Sequence, residues 1–90
     1  MTKKYRRHAD IRLTALEGEG VVLHMGARRY FTVTETGLTI LEALKEPKAF
    51  EQLVQSITSE YDVSDEKAAQ SVQKFLDQCL ASAVIEEISH

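Results

Sequence analysis

The chain has 90 residues, of which 43% are hydrophobic and 28% are charged, and it contains one cysteine, Cys79. A chain of this length forms one small domain, and a single cysteine excludes an intrachain disulfide. No apolar run follows the basic first residues, and none approaches the roughly 18 residues of a membrane span. The sequence therefore predicts a cytoplasmic protein without a secretory signal or a membrane helix.

The charge is unevenly distributed along the chain. The first eight residues contain no acid and carry +4 from Lys3, Lys4, Arg6 and Arg7. Because the whole chain carries −3, residues 9–90 sum to −7. An acidic body disfavours nucleic-acid binding, whose affinity comes largely from phosphate neutralisation. We predict that residues 1–10 form a basic, disordered arm and that residues 11–88 form the single domain.

Three short β-rich runs open the domain. Ile11, Leu13 and Ala15 alternate with polar residues, which is typical of a half-buried strand. The runs "VVLHM" and "RRYFTV" follow, with turn residues "EGEG" and "GA" before each of them. This spacing predicts an antiparallel meander whose first and third strands are the edges of the sheet.

Three helices are predicted after the strands. Thr34 is the expected N-cap of the first helix, which ends before Pro47. Gly37 in its first turn costs about 1 kcal/mol relative to alanine, which would be explained by a close approach to neighbouring backbone. The second helix shows a single apolar stripe, formed by Phe50, Leu53, Val54, Ile57 and Tyr61.

The third helix begins after Ser64, its expected N-cap, and runs to about Ser82. Its apolar face is wider than one packing partner usually needs. The final "VIEEI" is a candidate closing strand. The order of elements predicts an α+β fold of winged helix-turn-helix type, with a three-stranded antiparallel sheet followed by a three-helix bundle.

The sequence contains no recognisable catalytic or metal-binding constellation. His8, His24 and His90 are far apart and lack partners at metal-ligand spacing, and Cys79 lies in the apolar face of a helix, as a structural thiol does. We therefore predict no enzyme activity, no metal and no cofactor. The third helix has no arginine and three acids against two lysines, so it is a poor DNA-recognition helix.

The stretch "YFTVTETGLTILEAL" resembles the "yy-x-LNxTG-x-x-I-x-x-L" signature of the PqqD-like proteins, also called RiPP recognition elements. The similarity continues through "FEQLVQSITSEYDVSDEKAAQSVQKFLDQCLASAVIEE" and covers about residues 11–88. Three positions depart from the family pattern: Thr34 stands where Asn is usual, Ala49 replaces a capping Ser or Thr, and Ala83 occupies the usual glycine site.

The resemblance implies a module that binds the leader segment of a ribosomally made precursor peptide. In that family the leader adds as an antiparallel strand to the third strand and packs against the third helix. Strand alternation and the helix face give the candidate peptide-binding residues, which are Arg28, Arg29, Tyr30, Phe31, Thr32 and Val33 on the strand and Ala69, Val72, Gln73, Leu76 and Leu80 on the helix. Val72, Leu76 and Leu80 fit plain core positions equally well.

The implied mechanism is delivery of the precursor to a leader peptidase, cyclase or radical-SAM enzyme of the same pathway. A lasso-type or generic RiPP system is favoured, because a basic arm precedes a short first strand. One alternative is the peptide chaperone of pyrroloquinoline quinone synthesis, which partners a radical-SAM enzyme. Others are a winged-helix DNA-binding protein and a structural domain that dimerises by pairing two third strands. We expect a monomer or weak dimer.

Overall fold

The computed structural model describes residues 3–89, which form two three-stranded antiparallel sheets and three helices. One sheet has the order β2-β3-β4 and the other the order β5-β1-β6. The elements in chain order are β1 (Lys3–Arg7), β2 (Ile11–Leu16), β3 (Glu19–His24), β4 (Arg29–Thr34), α1 (Glu35–Ala43), β5 (Lys48–Ala49), α2 (Phe50–Glu60), α3 (Asp65–Ala81) and β6 (Ile85–Ser89).

The predicted meander and its edges are confirmed. A two-residue turn, Glu17–Gly18, joins β2 to β3, and Gly18 has φ 75°, a left-handed conformation that glycine adopts without strain. Residues 25–28 join β3 to β4. The three helices follow, so the predicted α+β class of winged-helix type is also confirmed.

Local capping explains where the helices begin. The Thr34 hydroxyl accepts a hydrogen bond from the Gly37 N–H at 3.3 Å, and the Ser64 hydroxyl caps α3 in the same way. Ala49 has no capping side chain, as its sequence predicts. Instead, the Gln52 side-chain oxygen accepts from the Ala49 N–H at 2.8 Å, which orders the start of α2.

The core lies between the inner face of the β2-β3-β4 sheet and the three helices. Burial removes the apolar side chains of this core from water, which supplies most of the stability of so small a fold. The most deeply buried large side chains are Ile40, Leu41, Leu44, Leu53, Leu76, Val22 and Val72.

The second sheet corrects the prediction of a disordered arm. Residues 3–7 form its central strand, β1, and Tyr5 is only 5% exposed. The Arg6 Nε lies 2.9 Å from an oxygen of Glu86, its partner in β6, and the neighbouring Lys3 and Glu87 form a second ion pair at 2.9 Å. The folded unit therefore begins before residue 11, because the basic segment pairs with the acidic closing strand. Residues 1 and 2 lie outside the described residues.

The end of α3 is a Schellman turn. The Val84 N–H donates to the Cys79 carbonyl at 2.9 Å, and the Ala83 N–H donates to the Leu80 carbonyl at 3.2 Å. Ala83 sits at the left-handed position of this turn with φ 57°. A side chain with a Cβ is strained in this conformation, which explains why the related family places glycine there.

We therefore expect Ala83→Gly to stabilise the protein by about 1 kcal/mol, because glycine removes the Cβ strain of the left-handed position. Urea unfolding of the two proteins measures the difference. Ala81→Gly, inside the last turn of α3, is the matched control and should destabilise by a similar amount. Equal destabilisation by both substitutions would contradict the strain argument.

Candidate functional site

The outer edge of β4 is open. β4 pairs with β3 on one side, and no strand among residues 3–89 pairs with it on the other. α1 begins directly after the strand, at Glu35, and the strand residues Tyr30 and Thr32 are exposed. The predicted edge strand is therefore present and accessible.

The hydrogen-bond register of the sheet follows from two observations. The two-residue turn pairs Leu16 with Glu19, and strands closed by such a turn begin with a hydrogen-bonded pair. At the other end of β3, the Met25 N–H donates to the Asp10 carbonyl at 3.0 Å. Because the bonding direction alternates along a strand, the odd-numbered residues of β3 bond towards β2 and the even-numbered ones bond towards β4.

The same alternation identifies the free backbone groups of β4. Val22 pairs in register with Phe31, so Phe31 and Val33 direct their N–H and C=O groups to β3. Tyr30 and Thr32 then direct theirs away from the sheet. These two residues offer the donors and acceptors that an added strand requires.

The side chains of β4 divide as strand alternation predicts. Phe31 and Val33 are half-buried and pack against the core, whereas Tyr30 and Thr32 are exposed. Arg29 shares the face of Phe31 and Val33 by alternation, but at the start of the strand it is exposed. Tyr30 is 74% exposed. Arg28, also exposed, precedes the strand in a left-handed conformation with φ 55° and ends the β3–β4 connection.

A largely apolar cavity of about 340 Å³ lies beside the open edge, between β4 and α3. An adjoining hollow of about 390 Å³ extends along α1 and shares Phe75 and Gln78 with it, so the two form one continuous surface, the β4–α3 groove. The cavity is lined by Val22, Phe31, Thr32, Val33, Leu41, Phe75, Gln78, Cys79, Ser82 and Val84.

The helix side of this groove differs from the sequence prediction. None of the five predicted α3 residues, Ala69, Val72, Gln73, Leu76 and Leu80, lines the cavity. Val72 and Leu76 are fully buried in the core and have no surface to offer a ligand. The side chain of exposed Gln73 donates to Asp77 at 2.9 Å. At 3.6 residues per turn, Ala69, Gln73 and Leu80 lie on the flank of α3 opposite the groove.

The groove flank of α3 consists instead of Phe75, Gln78, Cys79 and Ser82, which recur at helical spacing. The sequence signal for this flank is Gly37, whose partner the sequence alone does not identify. A Cβ at this position would lie 2.9 Å from the Phe75 ring and 3.2 Å from the Val33 Cβ. Gly37 therefore lets the Phe75 ring approach α1, and the neighbour that it accommodates is a side chain rather than the backbone expected from the sequence.

Cys79 is part of the cavity lining and carries a titratable thiol. Burial raises the pKa of its thiol from the ordinary 9.0 to about 12. Cys79 is 6% exposed, so the neutral thiol packs as a small apolar group.

We expect the free energy of unfolding to decrease as the pH rises from about 9 towards 12, because the unfolded thiol ionises before the folded one. Below pH 9 both states keep the proton and the contribution of Cys79 is complete. Denaturant unfolding across this range should show a steeper loss for the native chain than for Cys79→Ala. If the free energy of unfolding fell equally steeply with pH in both proteins, burial of the Cys79 thiol would not be the cause of the loss.

No metal-binding cluster occurs in the described part of the chain: no three His, Cys, Asp or Glu side chains come together there as ligands would. None of the described helices is long and apolar enough to cross a membrane. The chemistry of the groove is therefore that of an apolar surface beside free backbone groups.

The sequence matches the family model described as Coenzyme PQQ synthesis protein D (PqqD) over residues 19–85. The chain therefore belongs to the PqqD family, which confirms the resemblance recognised in its sequence. No curated protein sequence matches the chain significantly.

Two solved structures share the fold over nearly their whole length. TbiB1 in complex with the TbiA(beta) leader peptide has a TM-score of 0.80 and 25% identity, covering 90% of this chain and 94% of that one. Lasso peptide synthetase B1 complexed with the leader peptide has a TM-score of 0.77 and 18% identity, covering 91% and 96%.

Proposed function

We propose that this protein binds the leader segment of a ribosomally synthesised precursor peptide and delivers the precursor to a modifying enzyme or leader peptidase. The observation that carries the proposal is the open edge of β4 beside an apolar groove. A peptide that adds to this edge gains backbone hydrogen bonds and a place for alternate side chains at once.

The backbone contribution comes from Tyr30 and Thr32. An antiparallel leader strand pairs with their outward N–H and C=O groups, and each hydrogen bond contributes about 1 kcal/mol net. Because backbone groups are the same in every peptide, these bonds give affinity without sequence selectivity. The bound leader becomes the fourth strand of the β2-β3-β4 sheet.

Selectivity comes from the groove. Every second side chain of an added strand points to the inner face of the sheet, where it meets Phe31 and Phe75. A buried leucine-sized side chain contributes about 1.5–3 kcal/mol there. Lys74, Gln78 and Ser71 line the adjoining hollow and supply polar partners, so we expect a leader with apolar residues at alternate positions and an acid near Lys74.

The solved relatives support this proposal. The relative with 25% identity is a complex with a leader peptide, and its fold covers nearly all of this chain. This likeness favours a lasso-type or generic RiPP system. The family description supports the alternative, a peptide chaperone of PQQ synthesis that partners a radical-SAM enzyme.

The proposed role is non-catalytic and takes place in the cytoplasm, where a ribosomal precursor is first encountered. Holding a disordered precursor by its leader raises the local concentration of its core peptide at the enzyme. The partners are therefore the precursor leader and the leader peptidase, cyclase or radical-SAM enzyme that processes it. The protein needs no cofactor for this role, and we propose a monomer or weak dimer.

Calorimetric titration with the synthetic leader encoded beside this gene tests the proposal. We expect micromolar or tighter affinity, about −8 kcal/mol. The precursor and enzyme encoded there also distinguish the lasso-type system from the PQQ system. A leader that does not bind at concentrations far above micromolar would overturn the proposed function.

A further inference from the structure

A second concave surface lies near β2, at the edge of the sheet opposite β4. It has a volume of about 470 Å³ and is formed by β1, the β1–β2 connection, the start of β2 and the segment that follows α1. We call it the basic hollow, and its lining consists of Arg6, Arg7, His8, Ala9, Ile11, Arg12, Leu44, Lys45 and Pro47.

The charge of the basic hollow is opposite to that of the rest of the chain. Its lining includes four permanent cations and no carboxylate, although the chain as a whole carries −3. Glu86 neutralises Arg6 at 2.9 Å. Among residues 3–89, no carboxylate lies within ion-pair distance of Arg7, Arg12 or Lys45. Glu42 shares a neighbouring hollow with Arg7 and Lys45 but forms no ion pair with either.

The apolar members of this lining are Ala9, Ile11, Leu44 and Pro47, of which Ala9 and Pro47 are exposed whereas Ile11 and Leu44 are buried. The backbone N–H of Arg7 donates to the backbone carbonyl of Leu44, at the C-terminal end of α1. The negative end of the α1 dipole therefore lies at the basic hollow. A phosphate cradle uses the opposite arrangement, with helix N-termini or clustered amide groups. Cationic side chains beside the exposed apolar residues Ala9 and Pro47 fit an acidic protein segment that carries an apolar side chain.

We propose that the basic hollow docks an acidic surface segment of the enzyme that receives the precursor. The identity of this partner rests on the proposed function, whereas the charge of the hollow follows from its lining residues alone. Complementary charge steers association and selects the partner. Because the hollow lies beside β2 and the leader adds to β4, the module holds its two partners on opposite edges of one sheet.

Nucleic acid is the less favoured occupant. A duplex or single strand carries phosphates along its length, and outside residues 1–8 this chain carries −7. An acidic protein segment needs only local complementarity, which the hollow provides.

Charge reversal tests the proposal with the purified enzyme encoded beside this gene as the probe. Arg12→Glu and Lys45→Glu should each weaken its binding at least about tenfold, and added salt should weaken binding to the native module. Lys67→Glu on α3 is the control with the same charge change as Lys45→Glu, and it should stay within about twofold of the native chain. Far-UV circular dichroism confirms that each variant is folded.

The leader titration separates this inference from the proposed function. The hollow variants should bind the synthetic leader as the native chain does, because neither substituted residue lines the β4–α3 groove. Enzyme binding that is absent, or unchanged by both reversals, would overturn the docking proposal and leave leader binding intact. Inorganic phosphate or single-stranded DNA that binds through Arg12 and Lys45 would overturn it in favour of another ligand.

Discussion

Thr32→Pro is expected to weaken leader binding about ten- to a hundredfold, because it deletes an outward N–H and leaves a leader carbonyl without its donor. The fold itself does not use this group, since Thr32 opposes Val21 in a pair that is not hydrogen bonded. Proline is tolerated at such edge positions. Calorimetry with the synthetic leader gives the loss of affinity, and thermal unfolding shows that the domain remains folded.

Ala15→Pro is the matched control. Ala15 is exposed on β2, the other edge of the same sheet, and its N–H also points away from β3. This variant should carry the same backbone strain and bind the leader within about twofold of the native affinity. Equal losses in both variants would show that the leader does not add to β4 in particular.

Gln78→Trp should weaken leader binding by a comparable factor, about ten- to a hundredfold, by filling the β4–α3 groove. Gln78 is exposed and lines both parts of the groove, so its replacement leaves the core packing unchanged. The indole would occupy the space that an apolar leader side chain needs. The same titration measures the effect.

Gln73→Trp provides the comparison, since it makes the same substitution on the opposite flank of the same helix. Its expected effect on affinity is less than about twofold. The two variants also test which flank of α3 contacts the leader. The sequence analysis predicts the flank of Gln73, whereas the cavity in the structure is lined by Gln78. A loss confined to Gln73→Trp would restore the sequence assignment.

The fold was largely predictable because its signals are local. The side chains of Thr34 and Ser64 cap the helices that they precede, and alternation along β4 separates Phe31 from Tyr30. Each of these features depends on residues within a few positions of one another. Edge status followed from the short connections, because three consecutive strands in a meander leave the first and third at the borders.

The features that the sequence missed depend on contacts between distant residues. Residues 3–7 resemble a solvated arm until their partners, about 80 positions later, are known. The ion pair of Arg6 with Glu86 joins the two ends of the chain. Similarly, the periodicity of α3 shows that its apolar face is wide, but it does not tell which flank meets β4 and which lies on the far side.

The α3 residues that line the groove are both polar and apolar, so a search for hydrophobic periodicity does not identify them as a group. Gln78 and Ser82 are polar, and only Phe75 and Cys79 belong to the apolar face. Gly37 was noticed for its cost in a helix, but its partner, the Phe75 ring, lies 38 positions away in the chain. Such a pairing requires the tertiary structure.

Amide hydrogen exchange of β4, followed by NMR with and without the leader, measures strand addition itself. In the free protein the N–H groups of Phe31 and Val33 should exchange slowly, while those of Tyr30 and Thr32 exchange quickly. Saturation with leader should strongly slow the hydrogen exchange of the Tyr30 and Thr32 N–H groups. Unchanged fast exchange of both amides in a saturated complex would contradict binding at this edge.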